Sequence, residues 1–310
     1  MLASGGTQVS GLATDTTRAV SAEAKTAVVC DTTSYLPEEM LAAGGIERIS
    51  LYVALGGEQR KEIEIGDYAA FFERLRASDH GATTSQPSVG DFIETYGPLL
   101  DAGRDIVSIH LSATISGTCE AAEQAKQRLI EDGRGGERIH VVDSRTGCGG
   151  MGMLVLAASA RAAAGDAPET IVKAAARVRE ELRMWFAVDT LEYLRRGGRI
   201  GAARALLGSA LQIKPILTLE EEITPVERVR TRRRVFERLV KYAQELKDEG
   251  RDAWVIQHIQ DRENAQRLVE RCREVMGSDP LFVSEVGPVI GAHTGPGLLG
   301  VGGVPAALLE

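Results

Sequence analysis

The sequence predicts a two-domain α/β protein, and three observations carry that reading. Its 310 residues are about twice a common domain length. Its composition, 44% apolar and 26% charged, is that of an ordinary globular chain and excludes a collagen, a coiled coil or a fully disordered polypeptide. Short apolar runs also alternate with polar loops and amphipathic segments, the order that builds a largely parallel sheet covered by helices. Aromatic residues make up only 5%, so the core must be aliphatic. A formal charge of −8 gives no global field toward nucleic acid or an anionic bilayer.

Residues 1–24 are rich in Ser, Thr, Ala and Gly without a period and read as a flexible lead. An N-terminal α/β domain is expected over 25–165. It opens with a strand at Ala27–Cys30, a short helix behind Pro37, and a single strand from Arg48 to Ala54 before the Gly56-Gly57 turn. Asp67 caps a helix through Leu75, residues 81–87 form a loop, and Ser88 with Asp91 makes a capping box for a helix through Leu100. Ile106–Leu111 is a strand, followed by a helix from about Cys119 to Glu131, a strand at Arg138–Val142 and a helix at Gly152–Ala164.

A C-terminal α/β domain is expected over 166–310. A charged helix to Arg183 precedes a strand at Met184–Val188 and a glycine-flanked turn at 197–201. Two strands, Ile216–Ile223 and Val226–Arg230, are bridged by Thr224-Pro225. The helix from Arg233 to Lys247 buries Phe236, Leu239, Val240, Ala243 and Leu246, and the one capped by Asp261 buries Ala265, Leu268, Val269, Cys272 and Met276. Between them lies a strand at Trp254–Ile259. Val286–Leu309 contains no charged residue, but three prolines and seven glycines make it a buried strand with glycine-rich loops and not a membrane span.

Four scattered cysteines (Cys30, Cys119, Cys148, Cys272) show no C-x-x-C pair, and no histidine stands at ligand spacing. Reduced thiols in a cytoplasmic protein with no metal and no cofactor follow. Gly147, Gly149 and Gly152 match G-x-G-x-x-G, yet the acid that would hold a ribose is missing, so close helix packing is the better reading. Thr84 and Ser85 precede one helix, and Ser116, Gly117 and Thr118 precede another. Unpaired amides and hydroxyls at such starts form anion sites, here expected together at the C-terminal edge of one parallel sheet. His293 and Thr294 lie in an uncharged glycine-rich loop where an imidazole can approach an anion. Ser116 with His293 could instead serve a lipid hydrolase or acyltransferase, its acid drawn from Asp31, Asp143 or Asp189, although no G-x-S-x-G elbow is present. Five arginines within Val226–Arg234 read as a solvated helix start or a partner-facing patch.

Several of these segments, in order, resemble the motif series of the DegV family. They are Asp31-Thr32-Thr33-Ser34, Thr84-Ser85-Gln86-Pro87-Ser88, Ile115-Ser116-Gly117-Thr118, Val142-Asp143-Ser144, Asp189 through Ile200, Ile213-Lys214-Pro215 and His293-Thr294-Gly295-Pro296-Gly297. The resemblance runs from about residue 27 to 302. It implies an N-terminal α/β/α domain with a largely parallel sheet and a C-terminal domain with a mixed sheet. A long-chain fatty acid would lie in an apolar tunnel between or beside them. It further implies a monomeric, non-catalytic subunit that presents the carboxylate to a separate ATP-dependent fatty-acid kinase subunit and can carry the acyl phosphate. A lipid-sensing regulatory protein is the remaining alternative. By the same resemblance, Thr84 and Ser116 would bind the carboxylate and His293 would add a polar contact. Arg199 would stand at the head group or the kinase contact. The chain departs from the family pattern at Ser50-Leu51, at Arg60-Lys61-Glu62, and at Cys119, where an aromatic is common.

Overall fold

The computed structural model describes residues 25–208 and 213–310; the expected lead at 1–24 lies outside them. In chain order the strands are β1 (Thr26–Asp31), β2 (Glu47–Ile49), β3 (Tyr52–Leu55), β4 (Glu58–Lys61), β5 (Thr83–Ser85), β6 (Asp105–His110), β7 (Ile139–Asp143), β8 (Arg183–Ala187), β9 (Lys214–Leu219), β10 (Ile223–Val229), β11 (Ala253–His258), β12 (Phe282–Glu285) and β13 (Leu299–Val304). The helices are α1 (Glu38–Gly44), α2 (Tyr68–Ala77), α3 (Val89–Asp101), α4 (Thr118–Glu131), α5 (Cys148–Ala163), α6 (Pro168–Glu181), α7 (Glu192–Arg196), α8 (Arg232–Asp248), α9 (Arg262–Met276) and α10 (Pro288–Thr294).

Strands β2-β1-β6-β7 form the expected parallel sheet. Its strands are apolar on both faces because both are covered. Ala27, Val29 and Ile106 pack under α3 and α4, while Val28, Cys30, Val107 and Ile109 face α5 and α6. The mixed sheet runs β10-β9-β8-β13-β11-β12, parallel only between β11 and β12. Its outer face buries Trp254, Ile256 and Val301 beneath α8 and α9. Helix α5 touches β1 and β6 on one side and β11 and β13 on the other. A helix enclosed this way must be apolar all round, and Met151, Met153, Leu154, Val155, Ala157 and Ala158 are each at most 1% exposed. Of the three glycines the sequence suggests for close packing, Gly149 and Gly152 serve it, a Cβ there meeting Gln257 Oε1 at 2.9 Å and Leu36 Cδ2 at 3.0 Å, while Gly147 has no neighbour within 4 Å. Gly150 is as tightly seated. A Cβ on Gly150 would stand 2.8 Å from Thr146 Oγ1 and 2.9 Å from Leu182 Cδ2.

A third, small antiparallel sheet, β4-β3-β5, accounts for two departures from the sequence reading. The run Arg48–Ala54 is not one strand: the chain leaves the parallel sheet at Ser50-Leu51 and begins β3 in the small one. Both residues are buried, and Leu51 N donates to Thr32 Oγ1 at 3.3 Å. Residues 83–85, expected in a loop, form β5 as an edge strand paired with β3. Three corrections concern the C-terminal half. The β9–β10 turn falls at 220–222, while Thr224-Pro225 lies within edge strand β10 beside a bulge, where a missing amide is tolerated. His293 sits in the last turn of α10 and not in a loop. Asp261 precedes α9 but does not cap it; its carboxylate pairs with Asn264 and Arg232. Among the described residues no helix is long and apolar enough to cross a membrane.

The tight seat of α5 makes the sign of one substitution diagnostic. Alanine is ordinarily favoured over glycine in a helix by about 1 kcal/mol. At Gly150 its methyl must displace two buried neighbours, so Gly150→Ala is expected to lose about 1–3 kcal/mol and lower the Tm in a thermal melt. A raised Tm would mean that α5 has room to spare.

Candidate functional site

A cavity with about 1060 Å³ of empty space, its open mouth included, lies where the two large sheets and the small sheet meet. Leu51, Leu111 and Ile115 supply the N-terminal wall, and Met184, Phe186, Leu219 and Ile223 come from the mixed sheet and its hairpin. Val286, Val289, Ile290 and Leu298 close the remaining side. Gly300 on β13 also lines the cavity, where a Cβ would stand 3.3 Å from Phe186 Cβ.

Most of the polar lining comes from β5, α10 and the loop before α4. Thr84 on β5 and His293 on α10 meet through Oγ1 and Nε2 at 2.7 Å. Ser116 lies in the loop between β6 and α4, its Oγ 2.9 Å from Thr118 Oγ1. The two segments adjoin through Gln86, whose side chain packs so closely over Gly117 that a Cβ there would stand 3.1 Å from Gln86 Nε2. Arg199 is exposed; its Nε donates to Ile115 O at 3.1 Å and its Nη1 to Gly197 O at 2.8 Å, spanning the Ser116 loop and the glycine turn. Of the residues singled out from sequence, Thr84, Ser85, Ser116, Arg199, His293 and Thr294 all line the cavity. Gly117 and Thr118 stand behind Ser116, and Thr118 is fully buried. The Thr294 hydroxyl donates to Ile290 O, and Ser85 Oγ accepts from Gln59. Only the Ser116 group lies at the C-terminal edge of the parallel sheet; Thr84 arrives on a different sheet, which corrects the shared-edge expectation.

Burial, reinforced by the Arg199 charge, lowers the His293 pKa to about 4, so the imidazole is neutral near pH 7. Its Nδ1 is buried against Gly197 and has no hydrogen-bond partner among the described residues. The hydrolase alternative finds no triad here: Ser116 pairs with Thr118, and His293 pairs with Thr84. Asp189 is held by Lys214 and Arg232, and Asp143 accepts from the Ala113 and Arg145 amides. Asp31 does belong to a serine–histidine–acid line, Ser108–His110–Asp31, with contacts of 2.8 and 3.1 Å. All three are 0% exposed and Ser108 Oγ accepts from Tyr96, so this line ties β1 to β6 out of reach of any substrate.

Sequence reasoning missed Gln86, Thr146, Cys148 and Gln257 in the lining. Gln257 was detectable as the lone amide in an apolar strand; its Oε1 accepts from Gly149 N and its Nε2 donates to Ser284. The arginine-rich segment is largely satisfied internally, since Arg232 pairs with Asp189 and Asp261, and Arg233 and Arg234 pair with Glu237. Among the described residues no group of three or more His, Cys, Asp or Glu side chains could hold a metal ion.

Comparison with known proteins places this geometry in a family. Residues 25–306 match the family described as "Uncharacterised protein, DegV family". A DegV domain-containing protein of Streptomyces coelicolor is 41% identical over 281 residues, covering 89% of this chain and 96% of its own length. Among solved structures, a fatty-acid-binding DegV family protein from Thermus thermophilus superposes with a TM-score of 0.81 at 32% identity, covering 90% of this chain and 99% of that one. DegV of Bacillus subtilis, a fatty acid binding protein, gives 0.79 at 32% identity with 90% and 98% covered. With its parallel N-terminal sheet and mixed C-terminal sheet, the chain belongs to the DegV family.

Proposed function

We propose that this protein binds one long-chain fatty acid, with the acyl chain in the apolar cavity and the carboxylate at the Thr84–Ser116–His293 end. The observation that carries this reading is the charge pattern of the lining. Among the described residues Arg199 is its one permanently charged side chain and no carboxylate faces in. Each methylene taken from water contributes about 0.8 kcal/mol, so the chain supplies most of the affinity. Neutral donors then receive the head group without burying a second full charge beside it. With its proton on Nε2, His293 donates to Thr84, which leaves the Thr84 hydroxyl hydrogen available to the carboxylate. The fatty-acid-binding DegV structures from T. thermophilus and B. subtilis support the ligand class.

We further propose that the carboxylate is presented to a separate ATP-using kinase subunit, with exposed Arg199 at the point of contact. The support is its position at the cavity mouth between Ile115 and Gly197. Loaded protein, ATP and a bacterial fatty-acid kinase catalytic subunit should yield acyl phosphate trappable with hydroxylamine. Arg199→Ala should slow that formation while the protein stays loaded. Undiminished formation would remove Arg199 from the contact, and no product at all would leave a carrier without this partner.

Ser116→Ala removes one charge-assisted hydrogen bond of about 1.5–3 kcal/mol, so fatty-acid affinity should fall roughly tenfold to a hundredfold with the melting curve little changed. Thr84→Val should act similarly and non-additively with it. Native mass spectrometry of the purified protein tests the ligand class directly: a co-purified fatty acid at one per chain is expected, and wild-type affinity in both variants would overturn the site.

The depressed His293 pKa also fixes a stability slope. In the unfolded chain the ring titrates near 6.5 and in the folded one near 4, so between these values the unfolded state holds more protons. The contribution is complete above pH 6.5 and is lost as pH falls toward 4, at most on the order of 3 kcal/mol. Subtracting the ligand-free stability profile of His293→Gln from the wild-type profile should isolate that slope; a flat difference would return the ring to its ordinary pKa.

A further inference from the structure

Helix α10 has seven residues, too few to hold a position by itself. It nevertheless brings His293 to Thr84, which lies 209 positions away on another sheet. Besides its packing on α7 and α2, the helix is held by hydrogen bonds at its opposite end. Pro288 has no N–H; Val289 N donates to Glu62 Oε1 at 2.8 Å, and Ile290 N donates to the Tyr35 hydroxyl at 3.3 Å. Gly291 N bonds to Gly287 O, so every amide of the first turn is satisfied. Tyr35 in turn donates to Glu62 Oε1 at 2.9 Å.

Both side chains are held there against an opposing tendency. Glu62 is 2% exposed, and burial pushes its carboxyl pKa up. Tyr35 adopts φ +46°, in the left-handed region that a bulky residue avoids. Between them a Cβ on Gly287 would stand 2.8 Å from Glu62 Oε1 and 2.8 Å from the Tyr68 hydroxyl. Neither Glu62 nor Tyr35 lines the apolar cavity. Glu62 follows β4 directly, and its own amide donates to Leu51 O at 2.8 Å, just before β3. It therefore ties α10 to the same small sheet that carries Thr84.

We propose that Glu62, with Tyr35, is a positioning residue of the head-group site: it pins the first turn of α10 to the small sheet and so sets His293 against Thr84. The use of the site rests on the fatty-acid reading, but the positioning is a property of the ligand-free protein. NMR titration of the five histidines in ligand-free protein measures it, with His293 assigned from its loss in His293→Gln. The wild-type ring should titrate near 4, with Arg199, the charge acting on it, unchanged throughout. Glu62→Ala should let water reach the ring and raise its midpoint by about one pH unit or more. Glu62→Gln keeps an acceptor for Val289 N and should hold the wild-type midpoint. Tyr35→Phe should shift it in the same direction as Glu62→Ala, and it decides the matter if Glu62→Ala does not fold. An unmoved His293 in folded Glu62→Ala, or in Tyr35→Phe in its stead, overturns the proposal, as does Glu62→Gln shifting as far as Glu62→Ala. A shifted midpoint in a protein that binds no fatty acid would overturn the proposed function and leave the positioning role standing.

Discussion

Everything in this architecture depends on α5 being shared between two sheets. A helix packed on one sheet needs a single apolar stripe; one enclosed by two needs no polar face at all, and its backbone must lie close to both. Gly149 and Gly152 near its start meet that demand, where a Cβ would stand 2.9 Å from Gln257 Oε1 and 3.0 Å from Leu36 Cδ2. Because α5 fixes the distance between the sheets, it also fixes the cavity at its N-terminal end, where Thr146, Gly147 and Cys148 form part of the wall. The cavity is thus a consequence of how the two halves are joined.

The second constraint is electrostatic. The molecule has many acidic groups, yet among the described residues none lines the cavity, and three that lie nearby make contacts elsewhere. Asp31 accepts from the Thr33 and Leu111 amides, Asp189 neutralises Lys214 and Arg232, and Glu62 serves the first turn of α10. Each carboxylate so placed is kept out of the cavity lining. A neutral His293 completes the pattern, because a charged imidazole beside Arg199 would have to be desolvated with no acid to balance it.

Much of the fold was legible because periodicity survives wherever one element packs on one layer. The Ser88–Asp91 capping box, the Asp67 cap and the stripes of α8 and α9 all stand where the residue types place them. The failures have a common physical origin in elements held by partners far away in sequence. β4 reads Glu-Gln-Arg-Lys and is a strand only because β3 pairs with it. Thr83–Ser85 and Pro288–Thr294 are each too short to carry a period. Leu51 hides the passage between sheets because it is apolar on either side of the break. Hydroxyls and motif order singled out residues that line the cavity, but the Thr84–His293 contact was beyond reach, since both of its partners lie on such short elements.

That same distribution explains how the site can be selective at all. Burial of methylenes is non-directional and would reward an acyl chain threaded either way along the cavity. Orientation must therefore come from the polar end, which is assembled from three separate pieces: the edge of the small sheet, the loop before α4 and the last turn of α10. None of these holds a head-group geometry alone. Each is fixed by a bond made outside the cavity: Thr84 by the pairing of β5 with β3, Ser116 by its amide on Ser112 O, and His293 by the acid at the far end of its helix. On the proposed reading the aliphatic walls supply most of the affinity, while the polar groups add the remainder and set the orientation, held in place by hydrogen bonds outside the cavity.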